Sequence, residues 1–305
     1  MIITIPIKNQ KDIGTPSDSV VVLGYFDGIH KGHQELFRVA NKAAMKDLLP
    51  IVVMTFNESP KIALEPYHPD LFLHILNPAE RERKLKREGV EELYLLDFSS
   101  QFASLTAEEF FATYIKAMSA KIIVAGFDYT FGSDKKTAED LKDYFDGEVI
   151  IVPPVEDEKG KISSTRIRQA ILDGNVKEAG ELLGAPLPSR GMVVHGNARG
   201  RTIGYPTANL VLLDRTYMPA DGVYVVDVEI QRQKYRAMAS VGKNVTFDGE
   251  EARFEVNIFD FNQDIYGETV MVYWLDRIRD MTKFDSVDQL VDQLKADEEV
   301  ARNWS

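Results

Sequence analysis

The stretch "SVVVLGYFDGIHKGHQELFRVANKA", Ser19 to Ala43, decides how the first half of the chain folds. Its opening, Ser19 to Gly24, is a β-branched run ending in glycine, the pattern of a buried parallel strand. From Lys31 to Lys46 the apolar spacing turns helical, with Leu36, Val39, Ala40 and Ala43 on one face. Across the strand-to-helix junction lie Gly28, Gly32 and two of the five histidines, His30 and His33. A glycine-rich turn from strand to helix presents backbone N–H groups at a helix N-terminus, where phosphate binds. The glycines let the backbone approach an anion closely. A zinc reading of the two histidines lacks a third ligand and the glutamate of an H-E-x-x-H helix.

The rhythm repeats outward from this unit. "MIITIPIKNQ" is strand-like, with Ile3, Ile5 and Ile7 on one side, and "LPIVVMTF" is another strand. "NPAERERKLKREG" is a helix with Pro78 in its first turn and Gly89 at its C-cap. "ELYLLDF", a helix from about Thr106 to Met118, "AKIIVAGFD" and "GEVIIVPP" continue the series. "SSTRIRQAILDG" closes it as a helix with Ser164 before its first turn and Gly174 after its last. Such alternation predicts βαβ units and a parallel sheet, with ligands beyond the carboxyl ends of the strands. The loops Gly24 to Lys31 and Gly126 to Gly132 both follow strands and are the candidate site loops.

After Gly184 the texture changes. "APLPSRG" has the look of a linker, and short strands follow: "GMVVHG", "GVYVVDVEIQ", "KYRAMASVG", "ARFEVNIFDF" and "ETVMVYWLDRI". They predict a compact β-barrel or sandwich. A last helix starts at a capping box of Ser286 and Gln289, with Val287, Leu290, Val291 and Leu294 as its apolar stripe. Two domains are expected, an α/β domain over residues 1–184 and a β domain over residues 185–305. The 305 residues exceed what one core comfortably holds, about 250–300.

Composition narrows function by exclusion. A formal charge of -12 speaks against a nucleic-acid binder, yet leaves room for local positive clusters that take an anionic substrate. The absence of cysteine removes disulfides, zinc–thiolate sites and thiolate catalysis. No signal peptide and no long apolar run are evident, so the expectation is a cytoplasmic protein with no membrane partner.

A second cluster faces the same chemistry. "ISSTRIR" packs Ser163, Ser164, Thr165, Arg166 and Arg168 at a helix start, where hydroxyls bond phosphate oxygens and arginines neutralise charge. On its own this is equally a capped helix with solvated arginines. Together with the histidine loop it resembles the nucleotidylyltransferase superfamily, whose H-x-G-H signature binds ATP phosphates. The ordered set "GYFDGIHKGHQ", "GFDYTFG", "ISSTRIR", "GRTIGYPTANL" and "RIRDMTKF" resembles, over nearly the whole chain, the bacterial bifunctional riboflavin kinase/FMN adenylyltransferase (FAD synthetase) family.

That resemblance implies a Rossmann-like nucleotidylyltransferase domain followed by a riboflavin-kinase-like barrel with a terminal helix. It implies riboflavin, FMN and ATP as substrates, FAD as product, Mg²⁺ as cofactor, and a monomer or weak homo-oligomer. His30 and His33, with Arg168, would stabilise charge on the reacting ATP phosphates. Gly24, Phe26, Asp27 and Gly28 would bind ATP beside them, and Ser163, Ser164, Thr165 and Arg166 would hold the triphosphate. Asp128 would contact Mg²⁺ or flavin, and Phe127, Tyr129 and Phe131 would border the isoalloxazine. In the β domain Gly196, Arg199, Gly200 and Arg201 would cover ATP phosphates, with Thr207 and Asn209 at the Mg²⁺ site. Glu255 would be the base for the riboflavin 5′-hydroxyl, and Arg279, Lys283 and Phe284 would lie on the flavin side.

Three departures stand out. "FNESP" places Ser59 where the family has a histidine, "SDKKTAEDL" replaces a basic, glycine-containing run, and "GKNVTF" has Val245 where the family has proline. The last motivates an alternative in which only FMN adenylylation survives. A non-catalytic flavin sensor would not need both phosphate-handling sets, and a cytidylyl- or pantetheine-type transferase leaves the β domain unexplained.

Overall fold

The computed structural model describes residues 2–8, 10–13, 17–196, 199–243 and 252–305. The chain parts into two compact units, Met1–Ser163 and Ser164–Ser305.

The first unit is built on a parallel sheet of β1 (Ile3–Ile7), β2 (Ser19–Leu23), β3 (Ile51–Phe56), β4 (Glu92–Leu96), β5 (Ala120–Gly126) and β8 (Glu148–Val152). Two short ribbons accompany it, β6 (Thr130–Phe131) with β7 (Lys136–Thr137), and β9 (Glu156–Asp157) with β10 (Gly160–Lys161). The helices are α1 (Lys31–Asp47), α2 (Lys61–Leu64), α3 (Pro78–Arg87), α4 (Ser100–Ala103), α5 (Ala107–Phe110) and α6 (Leu141–Tyr144).

The strand order is β1-β4-β3-β2-β5-β8. From β2 the chain adds β3 and β4 on one side, then returns to add β5 on the other. The order therefore reverses at β2, and the crevice beyond the ends of β2 and β5 is the topological switch point where α/β sheets bind ligands. β2 is buried at all five positions, as its β-branched run predicts for a sheet covered on both faces. Val21, Leu23, Met54, Ile123 and Ala125 face a core that includes Phe110, Phe111 and Phe131. α1 buries Leu36, Phe37, Ala40, Ala43 and Ala44; Val39 is only half-buried, and Phe37 is the larger contributor to that face. In α3, Asn77 caps the N-terminus and Pro78 follows it.

The second unit opens with α7 (Ser164–Leu172) and α8 (Val176–Leu183) and continues into a closed antiparallel barrel. Its strands are β11 (Leu187–Val194), β12 (Ala208–Leu212), β13 (Gly222–Ile230), β14 (Gln233–Lys243), β15 (Ala252–Ile258) and β16 (Thr269–Arg279). The short α9 (Arg199–Thr202) lies between β11 and β12, and α10 (Val287–Asn303) ends the chain. The turn between α7 and α8 is seated on the barrel: a Cβ at Gly174 would lie 2.7 Å from the Tyr224 hydroxyl. Arg277 also donates to the Asp173 carbonyl. This contact explains why the helix pair groups with the barrel, ahead of the boundary expected after residue 184.

Two sequence expectations change here. "APLPSRG" is no linker: Leu187–Arg190 are barrel strand, paired with β16 through Leu187↔Trp274 and Ser189↔Val272. β11 meets β12 only from Gly191 onward, so Pro188 sits where the strand has one neighbour and needs no second ladder. In α10, Val287 is 50% exposed; Leu294 keeps its expected place against the barrel, joined there by the buried Asp297 and Ala301 and by Trp304 just past the helix end. A buried carboxylate breaks the apolar stripe because Arg279 neutralises it, with Arg279 Nη2 2.8 Å from Asp297 Oδ2.

Candidate active sites

In the first unit, the loop after β2 takes an unusual path. Phe26, Gly28 and Ile29 have φ of 57°, 92° and 46°. For the β-branched Ile29 this backbone is strained, and such strain persists where surrounding structure holds it. Phe26 supplies part of that hold: its ring is 1% exposed and meets His33 edge-on at 5.2 Å. A Cβ at Gly24 would strike the same ring at 2.7 Å, so the glycine is needed for close packing. Asp27 is buried and accepts from the Ile75 N–H at 2.9 Å, pinning the loop to the chain before α3. The side chains of Phe26 and Asp27 thus build the loop rather than face solvent.

His30 is the N-cap of α1, and its Nδ1 accepts from the His33 N–H at 3.3 Å. With Nδ1 an acceptor, the ring proton of the neutral form sits on Nε2. The two imidazoles stack at 3.7 Å. Burial, reinforced by the Lys161 ammonium, lowers the His30 pKa to about 4. Burial and His30 also hold His33 well below its usual value. Both rings are therefore neutral at physiological pH, hydrogen-bonding groups at a helix N-terminus rather than fixed cations. The Nδ1 of His33 is buried with no hydrogen-bond partner among the described residues. Among those residues, no group of three His, Asp or Glu side chains is placed to hold a metal.

The fixed cation is Lys161, which the sequence reading did not single out. It pairs with Asp128 at 2.5 Å and lies 4.5 Å over the Phe127 ring. It thereby ties the segment before "SSTRIR" to the loop after β5. Its only sequence signal is a lysine two residues ahead of Ser163. Ile162 brings this segment to α1, since a Cβ on Gly32 would meet the Ile162 carbonyl at 3.4 Å. Of the three aromatics in the β5 loop, Phe127 is 41% exposed, Tyr129 is half-buried and Phe131 belongs to the core. Gly132 is obligatory: its φ is 72°, and a Cβ would lie 2.6 Å from the Ala107 nitrogen.

In the second unit Ser164, Arg166 and Arg168 are half-buried and Thr165 is exposed at the start of α7. Arg166 is engaged by Glu178 of α8, Nη2 to Oε1 2.8 Å.

The barrel gathers its own set. Asn209 pairs with Glu255 across β12 and β15, and Thr207 Oγ1 donates to Glu255 Oε2 at 3.2 Å. Arg253 Nη1 lies 3.5 Å from the other oxygen of Glu255. Phe254 and Val256 point into the core, so Glu255 faces the opposite side, as alternation along β15 predicts. Gly196 packs directly on the Asn209 amide, where a Cβ would come within 2.1 Å. A Cβ on Gly200 would come equally close to the Tyr205 carbonyl. Arg201 reaches the Tyr266 hydroxyl at 3.4 Å, and α9 begins at Arg199. On the far side Arg279 lies 5.7 Å over Phe284, with Lys283 exposed beside it. Asn244, Val245, Thr246 and Phe247 lie outside the described residues.

Comparison with known proteins follows this division. Residues 12–166 match the FAD synthetase family profile and residues 183–305 the riboflavin kinase profile. The bifunctional riboflavin kinase/FMN adenylyltransferase of Listeria monocytogenes is 38% identical, over 95% of this chain and 94% of its own. The Bacillus subtilis protein of that name is 37% identical, over 93% and 91%. A crystal structure named as a macrolide-efflux protein from Streptococcus pneumoniae is 98% identical, with a TM-score of 0.96 over 99% of this chain and all of that one. No helix among the described residues is long and apolar enough to cross a membrane. With both profiles matched and relatives similar along nearly their whole length, the chain belongs to the bifunctional riboflavin kinase/FMN adenylyltransferase family and makes FMN and then FAD with ATP.

Proposed function

We propose that the two steps are carried by two separate residue sets, the strand-end loops of the parallel sheet for adenylyl transfer and the Thr207–Asn209–Glu255 cluster for phosphorylation. The observation that carries this is the pairing of two different chemistries with the two profiles. One set is a buried imidazole pair with a lysine, the other a carboxylate hydrogen-bonded to a hydroxyl beside an amide.

In adenylyl transfer an oxygen of the FMN phosphate bonds to the α-phosphorus of ATP. The bond from that phosphorus to the bridging oxygen breaks, and pyrophosphate leaves. No covalent nucleophile is required, only positioning and stabilisation of charge. His30 donates from Nε2 and the N-terminus of α1 offers backbone N–H groups, with His33 stacked behind. Lys161 supplies positive charge. Ser163, Ser164, Thr165 and Arg168 act on ATP phosphate, and Arg166 braces their helix through Glu178. Phe127 and Tyr129 border the flavin. Asp128 serves as the counter-ion of Lys161.

In phosphorylation the riboflavin 5′-hydroxyl oxygen bonds to the γ-phosphorus, its proton passes to Glu255, and ADP leaves. Thr207 and Asn209 offer a hydroxyl and an amide oxygen, a donor set that fits Mg²⁺, which prefers oxygen ligands and keeps several waters. When bound there the ion would neutralise charge on the nucleotide phosphates. Gly196, Gly200 and the Arg199–Arg201 turn cover those phosphates, and Lys283 and Phe284 line the flavin side. Residues 1–184 and 185–305 act as the two functional parts of a cytoplasmic monomer or weak homo-oligomer. Efflux, which appears in the name of the near-identical structure, is not needed to account for either set.

Products made from riboflavin, ATP and Mg²⁺ test the assignment. His30→Ala is expected to accumulate FMN and make no FAD. Glu255→Ala is expected to make FAD from FMN but nothing from riboflavin. Loss of both activities in either folded variant would sink the two-set assignment.

A further inference from the structure

On the β3 side of β2, away from Lys161, lies a second cationic feature that the roles above leave unused. Arg81, in the second turn of α3, is 4% exposed, and its guanidinium stands 5.9 Å over the ring of Tyr25 in the phosphate loop. Its side chain makes no hydrogen bond or ion pair with any described residue. Two carboxylates, Asp27 and Glu58, exert their charge on it from beyond ion-pair distance. Each is already engaged, Asp27 by the Ile75 N–H and Glu58 by His74 at 3.2 Å. Lys84, one turn further along the same face, is half-buried and likewise has no hydrogen bond or ion pair with a described residue, yet its charge is felt at His30. Burial lowers Lys84 to about 8.

A buried guanidinium without a partner is costly, and truncating such a charge's counterpart costs several kcal/mol in other proteins. An arginine kept in this state beside a strand-end loop is a place prepared for an arriving anion, and its planar fork suits phosphate. Adenylyl transfer brings two anions together, the triphosphate and the acceptor phosphate, and each needs its own positive charge. Lys161 is tied to the loop after β5 through Asp128, whereas Arg81 stands over Tyr25 with α3 behind it, and His30 feels the charge of both Lys161 and Lys84. We propose that Arg81, assisted by Lys84, binds the phosphate monoester of the acceptor, the FMN 5′-phosphate. This rests on the reading of the strand-end loops as the adenylyl-transfer site. The span is feasible: two strand spacings, about 10 Å, separate the β3 and β5 sides, within reach of an extended ribityl chain.

The same cations could instead serve ATP or pyrophosphate, and steady-state kinetics of the full-length enzyme separate the sources. Arg81→Gln is expected to raise KM for FMN about tenfold or more. KM for ATP should change less than twofold, with riboflavin phosphorylation unchanged. Arg81→Lys should recover part of the loss. A rise confined to KM for ATP would assign the cation to the triphosphate and overturn the proposal, as would no change in either constant. If Arg81→Gln does not fold, Arg81→Lys and Lys84→Gln decide: a severalfold rise in KM for FMN supports the subsite, and an unchanged value overturns it. A His30→Ala enzyme that still made FAD would overturn the underlying site reading whatever Arg81 does.

Discussion

The two units gather opposite kinds of polar group at their candidate sites. The first gathers nitrogen: stacked neutral imidazoles, a helix N-terminus, Lys161 and the buried Arg81. The barrel gathers oxygen: a carboxylate, a hydroxyl and an amide on adjoining strands. The difference follows the chemistry. An acceptor that is already an anion must be brought to another anion, which calls for donors and cations. A neutral hydroxyl must lose a proton, which calls for a base and a metal-ready oxygen set.

The largest effect is expected at Asp297→Ala, which strips the 1% exposed partner from Arg279 where α10 closes on the barrel. Removing one member of such a pair costs about 3 kcal/mol or more. Denaturant unfolding should therefore lose the barrel's transition first, and equal loss in both units would erase the distinction between them.

Gly196→Ala should come next. Its methyl would displace the Asn209 amide, and a displacement near 1 Å costs about a hundredfold in rate. Riboflavin phosphorylation should fall by that order while FAD synthesis from FMN holds. Intact kinase activity would remove Asn209 from the phosphate site.

Acid should then act on the first unit. His30 titrates near 4 when folded and near 6.5 when unfolded, so the unfolded chain binds the proton first as pH falls. Stability from this group is whole above pH 6.5, falls by about 2 kcal/mol by pH 5, and levels off below 4. Burial of His33 adds in the same direction. A His30→Gln variant should lose the His30 share of that slope in urea titrations between pH 7 and 5, and an unchanged slope would mean that His30 is not buried as described.

The smallest effect is expected at Lys161→Met, about a tenfold loss of FAD formation with the kinase untouched, because Lys161 supplies charge without closing the site alone. It should also raise the His30 titration midpoint seen by NMR. A midpoint that stayed near 4 would assign the depression to burial alone.

Much of this was legible in the chain. β2, its glycine-rich loop and α1 follow from a β-branched run, two glycines and helical spacing, all local signals. Thr207, Asn209 and Glu255 stood in two distant motifs, and the barrel paired Asn209 with Glu255 across strands and hydrogen-bonded Thr207 to Glu255. The placement of Lys161 and Arg81 beside the histidine loop was not legible in the chain. Each is an ordinary basic residue in a segment rich in charge, and nothing local marks where its head group goes. The strand at Leu187–Arg190 was missed because two prolines mimic a linker, while tolerance of Pro188 depends on which edge of β11 has a neighbour. Along α10, Leu294 was legible as barrel-facing but Asp297 was not, because it looks like a solvent residue until Arg279 is placed against it.

By itself the sequence determined the succession of elements, the position of the turns and the two families of motifs, because these depend on residues a few positions apart. Tertiary structure decided the reversal of strand order at β2, the closure of the barrel and the charge state of the histidines. Those depend on which distant segments exclude water from a group and which charges they bring beside it, and neither is encoded in any short stretch of chain.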